Sequence, residues 1–352
     1  FEDNVITVLK QHGWKDGVLR YPTEQDLLDN WKGILYRNNN DIDRLGKYPL
    51  TDGEMAQIIE QIETLRTPLA LNSFVNGRTV SITRDNKEDV AHFGKEVSLY
   101  IYDRKEIAGG KSTYQIVQQP VYPAKNTMLS SRRGDLVLLI NGMPLIHIEL
   151  KKSGIPVSQA TNQIEKYAHE GVFTGLFRLV QIFVAMNPDD AVYFANPGVD
   201  KFNPSYYFHW ADYNNEPICG GQNPGKDEWK LFIGGTSGTA GLLSIPMAHQ
   251  LIGFYTIADS ADGCLKVLRS YQYIAANAIS DVVRKCDWEQ RPSMPGRPGG
   301  YVWHTTGSGK TMTSFKSAQL IADSHDADKV VFLMDRIELG TPVSYTHLRA
   351  HE

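Results

Sequence analysis

The sequence predicts an α/β protein: a mixed central sheet flanked by helices, followed by the beginning of a second, parallel α/β domain. Three observations carry this. Alternating or continuous apolar runs of strand length cluster between residues 78 and 186. Amphipathic helical text stands before, between and after them. From residue 301 onward, a short apolar run, a Gly-rich turn, a helical stretch and another apolar run follow in the order of a parallel βαβ unit.

The elements follow in order. "FEDNVITVLKQHGW" puts Phe1, Val5, Val8 and Leu9 on one helical face, and His12-Gly13 marks its end. After the Asn-rich "YRNNNDID", "TDGEMAQIIEQIETL" reads as a helix with Thr51 as N-cap for Glu54. "GRTVSITR", "EVSLYIYD" and "TYQIVQQPVY" read as strands. Asn141-Gly142, between two apolar runs, predicts a hairpin. "SQATNQIEKYAHEG" is helical, capped by Ser158 and ended by Gly171, and "LVQIFVAMN" has the length of a buried strand. Residues 187–240 look like loops with short elements, "GGTSGTAG" (234–241) is the best linker, and "YYFHW" (206–210) reads as core packing. "LLSIPMAHQLIGFYTI" and "LRSYQYIAANAISDVVRKC" are helical text ahead of a Pro/Gly run.

Bulk numbers bound the function. The 352 residues are enough for two ordinary cores, and 41% hydrophobic with 22% charged residues is globular composition. A net charge of -4 excludes a global basic field, though not a local basic groove. The three cysteines, Cys219, Cys264 and Cys286, form no CxxC pair, which excludes a disulfide framework or zinc knuckle and makes a reducing cytoplasm the default. No apolar stretch is long enough to span a bilayer and no signal peptide opens the chain, so no membrane partner is expected. The chain starts at Phe1 without an initiator Met and reads as a fragment.

"GDLVLLINGMPLIHIELKK" (134–152) is unusual for a hairpin destined for a core, because it carries Asp135, Glu149 and Lys151. Glu149 and Lys151 share one face by strand alternation, while Ile146, Ile148 and Leu150 share the other. Register then matters. A simple two-residue turn pairs Ile140 with Met143 and puts Asp135 on the face away from Glu149. A type I turn over Ile140 and Asn141, with Gly142 left-handed in a bulge, puts Asp135 across from His147 and diagonal to Glu149. A shared ion requires such a bulge.

An Asp with a Glu-x-Lys on the adjacent strand resembles the PD-(D/E)xK nuclease signature. The resemblance implies that Asp135, Glu149 and the Leu150 carbonyl hold Mg²⁺, with Lys151 positioning water and offsetting charge. Gln163 and Tyr167, four apart on one helical face, resemble the QxxxY motif of RecB-like nucleases, which borders the site and the DNA. Glu2 stands where that group has a further carboxylate; as a first-turn acid it also simply suits the helix dipole. His147 reads as a neighbour rather than a ligand. Arg132 and Arg133 read equally as phosphate contacts or as a solvated pair.

"TTGSGKT" aims the backbone N–H groups of a helix start at one point, which suits phosphate oxygens. Thr306, Gly307, Ser308 and Gly309 form the cradle, Lys310 reaches terminal phosphates, and Thr311 ligates the ATP-linked Mg²⁺. His304 stands where the strict pattern wants Gly or Ala, and the shorter TGSGKT form resembles the first motif of superfamily 2 helicases. "LRSYQ" resembles their glutamine motif, which makes Gln272 the adenine reader by resemblance.

A RecB-like nuclease ahead of a superfamily 2 motor resembles the restriction (R) subunit of type I restriction–modification enzymes, from residue 1 to about 340. "FEDNVITVLKQHGW", "QIEKY", "RSYQ", "HTTGSGKT" and "FLMDRIEL" follow that family's order. The resemblance implies a PD-(D/E)xK nuclease domain over 1–235, a partial RecA-like lobe over 236–340, and a tail at 341–352 outside the family's text. It implies ATP-dependent translocation coupled to Mg²⁺-dependent cleavage of double-stranded DNA, in complex with methylation and specificity subunits. The text after the P-loop shows no DEAD-like acid pair, arginine finger or second motor lobe, so ATP hydrolysis by this polypeptide alone is not expected. Two alternatives stay open: another ATP-coupled nuclease of a restriction or repair system, or a docking module without activity.

Overall fold

The computed structural model describes residues 1–107, 109–122, 132–221, 227–259, 263–285, 299–331 and 333. Helix α1 (Glu2–Gln11) buries Val5, Ile6, Val8 and Leu9 along one stripe. Strand β1 (Val18–Arg20) leads into α2 (Glu24–Asn38), which has no counterpart in the sequence expectation. Its signature is the reciprocal cap of Thr23 and Asp26, whose weight the Asn-rich text just after it hides. Helix α3 (Asp52–Thr64) has the Thr51–Glu54 capping box that the spacing predicts, and α4 (Pro68–Asn76) starts on a proline after Thr67.

Strands β2 (Thr79–Thr83) and β3 (Glu96–Tyr100) form a ribbon of their own, and β4 (Tyr114–Gln118) enters the main sheet. A short ribbon of β5 (Val121–Tyr122) and β6 (Arg132–Arg133) precedes the hairpin of β7 (Leu136–Ile140) and β8 (Met143–Leu150). Helix α5 (Val157–His169) then crosses to β9 (Ile182–Met186), which returns as β10 (Ala191–Ala195). The main sheet runs β1-β4-β7-β8-β9-β10, parallel at β1–β4 and β8–β9 and antiparallel elsewhere, hence mixed. Strands β7 and β9 are buried along their whole length, as continuous Val/Ile/Leu runs covered on both faces should be.

Some elements differ from expectation. Helix α5 starts at Val157, and Ser158 caps nothing, because Pro156, with its fixed φ, already occupies the N-cap. Residues 234–241 are not a linker but a closed loop: Gly235 bridges to Ala240, and a Cβ on Gly241 would lie 2.3 Å from the Ile233 carbonyl oxygen. The text from 242 to 257 yields only α7 (Met247–Gly253), with Pro246 at its start, and then β11 (Thr256–Asp259). Helix α6 (Glu228–Gly234) and β12 (Cys264–Val267) complete this part. One hydrophobic core joins Val5 to Leu268 without a seam near 235, and Trp14 Nε1 donates to the Leu243 carbonyl at 2.7 Å.

Helices α8 (Ser270–Lys285) and α9 (Lys310–Ser324) pack on each other. The strands expected on either side of α9 are absent among the described residues: 299–305 and 329–331 make no ladder, and Tyr301 and Trp303 are each 88% exposed. A parallel strand is stable when paired in a sheet with both faces covered, and among the described residues these segments pair with nothing. The 341–352 tail, nearly all of "FLMDRIEL" and Cys286 lie outside the described residues. Among the described residues no helix is long and apolar enough to cross a membrane.

Candidate active site

The hairpin turn is a two-residue one. Asn141 (φ +52°) and Gly142 (φ +83°) are both left-handed, and Ile140 pairs with Met143. The expected bulge at the turn is therefore absent. The register shifts further along: Leu139 pairs with Pro144, but Leu138 pairs with Ile146, so Leu145 is the extra residue. Pro144 supplies the reason, since it brings no N–H to the ladder and interrupts pairing where it stands. That shift restores phase. Leu136 faces Ile148, and one residue further Asp135 comes level with Glu149, not with His147, which faces Val137.

The two acids therefore meet. Asp135 Oδ2 accepts from the Leu150 amide at 2.6 Å, and Glu149 Oε1 lies 3.2 Å from Lys151 Nζ. Glu149 is 1% exposed, and its Oε2 is buried without a hydrogen-bond partner. Burial, and for Asp135 also the charge of Glu149, pushes both carboxyls up to about 7 against the pull of Lys151. A pair of buried acids sharing one space is a donor set that a hard cation relieves.

Lysine 151 is held as well. Its Nζ donates to Gln163 Oε1 at 2.6 Å, Gln163 Nε2 donates to the Tyr167 hydroxyl at 2.6 Å, and that hydroxyl donates to the Arg133 carbonyl at 2.9 Å. The QxxxY pair thus ties α5 to the ammonium of Lys151 and to the strand that leads into Asp135. Burial pushes the Tyr167 phenol up to about 12, so it stays a donor. Sequence reasoning did not foresee this chain, although the i, i+4 spacing contains it.

Glu2 stands nearby, but its oxygens accept from the Gln118 and Gln119 amides at 2.8 and 3.2 Å. Among the described residues no three His, Cys, Asp or Glu side chains gather into one ion-binding cluster. Arg132 makes a two-pronged pair with Glu170, both contacts at 2.9 Å, and the Arg133 guanidinium lies 5.9 Å from the Tyr21 ring centre. Of "YYFHW", Tyr207 stacks on Phe194 and Trp210 is fully buried, whereas Tyr206 is exposed.

The glycine loop has its own geometry. Gly307 (φ +78°) and Gly309 (φ +83°) are left-handed, and α9 starts at Lys310, so Thr311 sits in its first turn. Thr306 opens the turn ahead of them. Lys310 Nζ folds back onto the Thr305 carbonyl at 3.2 Å. Tyr271 donates to the Ser308 carbonyl at 2.8 Å, and buried Gln272 donates from Nε2 to the Ser308 and Gly309 carbonyls at 3.3 and 3.4 Å. A Cβ on Gly309 would lie 2.4 Å from that amide nitrogen. A pocket of about 210 Å³ opens beside the loop, walled by Tyr207, Phe208, Val267, Gln272 and Met312.

Residues 2–202 match the family described as "Type I restriction enzyme R protein N terminus (HSDR_N)". The chain belongs to that family. Residues 271–351 match the SWI2/SNF2 ATPase family. A type I restriction enzyme endonuclease subunit of Staphylococcus saprophyticus is 31% identical over 348 residues, which are 97% of this chain and 32% of that protein. One from Staphylococcus aureus is 32% identical over 342 residues, again 97% and 32% of the two chains. The EcoprrI endonuclease subunit of Escherichia coli is 35% identical over 217 residues, 60% of this chain and 62% of the relative. The chain thus spans about a third of the length of the staphylococcal relatives, and its match to the R protein N-terminus family is followed by the SNF2-type ATPase match.

Proposed function

We propose that this chain carries the PD-(D/E)xK nuclease site and the ATP-binding loop of a type I restriction endonuclease, which couples ATP-dependent DNA translocation to Mg²⁺-dependent double-strand cleavage. The nuclease reading applies to the part built on the six-stranded sheet, and the RecA-like reading to α8, the glycine loop and α9. The observation that carries the reading is the levelling of Asp135 with Glu149, beside an ammonium fixed by Gln163.

The residues fit a divalent ion. Asp135, Glu149 and the Leu150 carbonyl would hold Mg²⁺, all hard oxygen donors, two of them buried acids raised to about 7 by their shared burial. When bound, the cation polarises the phosphoryl oxygen and acidifies a water. Lys151 orients the attacking water and offsets charge as it grows on the phosphate. Gln163 and Tyr167 keep that ammonium aimed, and Glu2 works through the Gln118 and Gln119 amides rather than as a ligand. At the glycine loop, Lys310 exchanges the Thr305 carbonyl for nucleotide phosphates, Thr306 to Gly309 supply the cradle, Thr311 binds the ATP-linked Mg²⁺, and Gln272 reads adenine beside the 210 Å³ pocket. Double-stranded DNA is the substrate, methylation and specificity subunits are the partners, and the cytoplasm is the compartment.

The test uses the full-length subunit assembled with those partners, on plasmid carrying unmodified sites, with ATP and Mg²⁺. Asp135→Ala should abolish cleavage and leave ATP hydrolysis intact. Cleavage at the wild-type rate would refute the site, and an assembled wild type that binds DNA without cutting it would favour the docking reading.

A further inference from the structure

Behind Glu149 lies a second polar contact that the nuclease motif does not account for. His147 is fully buried, two residues back on the same strand face. Its Nδ1 lies 2.9 Å from the Tyr122 hydroxyl, and its Nε2 lies 3.5 Å from Glu149 Oε2. Both of those last two atoms are buried and neither has a hydrogen-bond partner. They face each other. An unsatisfied buried polar atom is costly, and these two lie close enough to satisfy each other.

The ring cannot turn away. Phe173 and Phe183 stand edge-on to it, with centroids at 5.4 and 6.0 Å, and Tyr122 and Tyr167 close the enclosure at 6.2 and 6.3 Å. Gly134 completes the wall: a Cβ there would lie 2.6 Å from the Tyr122 hydroxyl and 3.0 Å from His147 Cε1. A neutral imidazole has one N–H and one lone pair. An ionised Glu149 oxygen only accepts, so the N–H belongs on Nε2, and Tyr122 donates to Nδ1.

We infer that His147 is a positioning residue: held by Tyr122, it donates from Nε2 to Glu149 Oε2 and fixes the carboxylate that faces the divalent cation. Lys151 grips Oε1 and His147 grips Oε2, so each oxygen keeps a lone pair for the ion. Such outer partners typically alter metal affinity 10–100-fold. The inference rests on the nuclease reading of Asp135 and Glu149.

The experiment titrates Mn²⁺ into this chain at pH 8 without nucleotide, by calorimetry, with Asp135→Asn as the control for the site. In His147→Gln the side-chain amide replaces Nε2–H, whereas in His147→Asn it reaches only the Nδ1 position. We expect H147Q to bind within about threefold of wild type, and H147N and H147F to bind roughly 10–100-fold more weakly. Tyr122→Phe should fall between, because it frees the tautomer. If D135N abolishes binding while H147N equals H147Q, His147 is packing only and the inference fails. If D135N binds like wild type, the nuclease reading fails first. Should H147F not fold, the Gln–Asn pair alone decides.

Discussion

The hairpin site and the glycine loop are held in different ways. Asp135, Glu149 and Lys151 sit on a hairpin flanked by β4 on one side and β9 on the other, and Gln163 and Tyr167 on α5 brace the ammonium. Among the described residues the glycine loop is braced by Tyr271 and Gln272 of α8, and its lysine bonds to its own loop. Helix α9 is clamped at its far end, where Arg104 pairs with Asp323 at 3.0 Å, and Lys316 is buried deeply enough that its ammonium drops to about 7. On the proposed reading the first site is therefore preorganised for an ion, and its two acids repel each other once both ionise. The second must break a lysine contact to take a phosphate.

Single substitutions in the assembled full-length enzyme should separate the two sites most clearly. Lys151→Ala should cut DNA cleavage by about a thousandfold while ATP hydrolysis persists. Lys310→Ala should abolish ATP hydrolysis, and with it the coupled cleavage, yet leave Mn²⁺ binding at the hairpin unchanged. Loss of ATP hydrolysis in Lys151→Ala, or of hairpin Mn²⁺ binding in Lys310→Ala, would merge the two sites into one.

The next effect is pH dependence. Both acids are raised to about 7, so below that value a proton competes with the cation. Mn²⁺ affinity should fall below pH 7, approaching about a hundredfold per pH unit as both acids protonate, and level off above it. Calorimetry in buffers of different ionisation enthalpy should report about 1.5 protons released per ion at pH 6.5. A flat profile from pH 5.5 to 8 would deny the coupling.

Stability should move the other way from activity. An acid raised in the folded state contributes stability below its unfolded pKa of about 4, and that contribution is lost as pH rises through 7. Asp135→Asn keeps an acceptor for the Leu150 amide and removes the repulsion. The metal-free chain should gain on the order of 1–3 kcal/mol at pH 8 and little at pH 4, as read by urea unfolding. Loss of stability at pH 8 would mean that Asp135 is a structural ion-pair member.

Much of this architecture was legible in the residues. The Thr51–Glu54 cap, the Asn-Gly hairpin and the buried "LVQIFVAMN" strand follow from local rules that tertiary packing leaves intact. The position of the bulge was not, because turn chemistry alone fixes only the turn; the interruption came from Pro144, three residues beyond Asn141. Helix α2 was hidden by neighbouring Asn-rich text, and the closed loop at 234–241 looked like a linker because glycine serves close packing as well as freedom. For the candidate site, residue types and spacings could be read directly. What could not be read was the Lys151–Gln163–Tyr167 chain and the Tyr122–His147 contact, which arise from segments 12 to 25 residues apart that only the sheet brings together.

The smallest effect probes the hairpin itself. Gly142 is left-handed, and a Cβ there would lie 2.8 Å from the Trp31 ring. Gly142→Ala should cost about 1–3 kcal/mol in urea unfolding, because the turn must hold a side chain in the left-handed region against Trp31. An unchanged stability would show that the turn tolerates another conformation.

The central claim is that one cation sits between Asp135 and Glu149. Crystals of this chain soaked in Mn²⁺ at a concentration that supports cleavage by the assembled enzyme, measured for anomalous scattering, test it directly. The account predicts one peak within about 2.0–2.6 Å of an oxygen from each acid and of the Leu150 carbonyl. A peak elsewhere with none between the two carboxylates would contradict it.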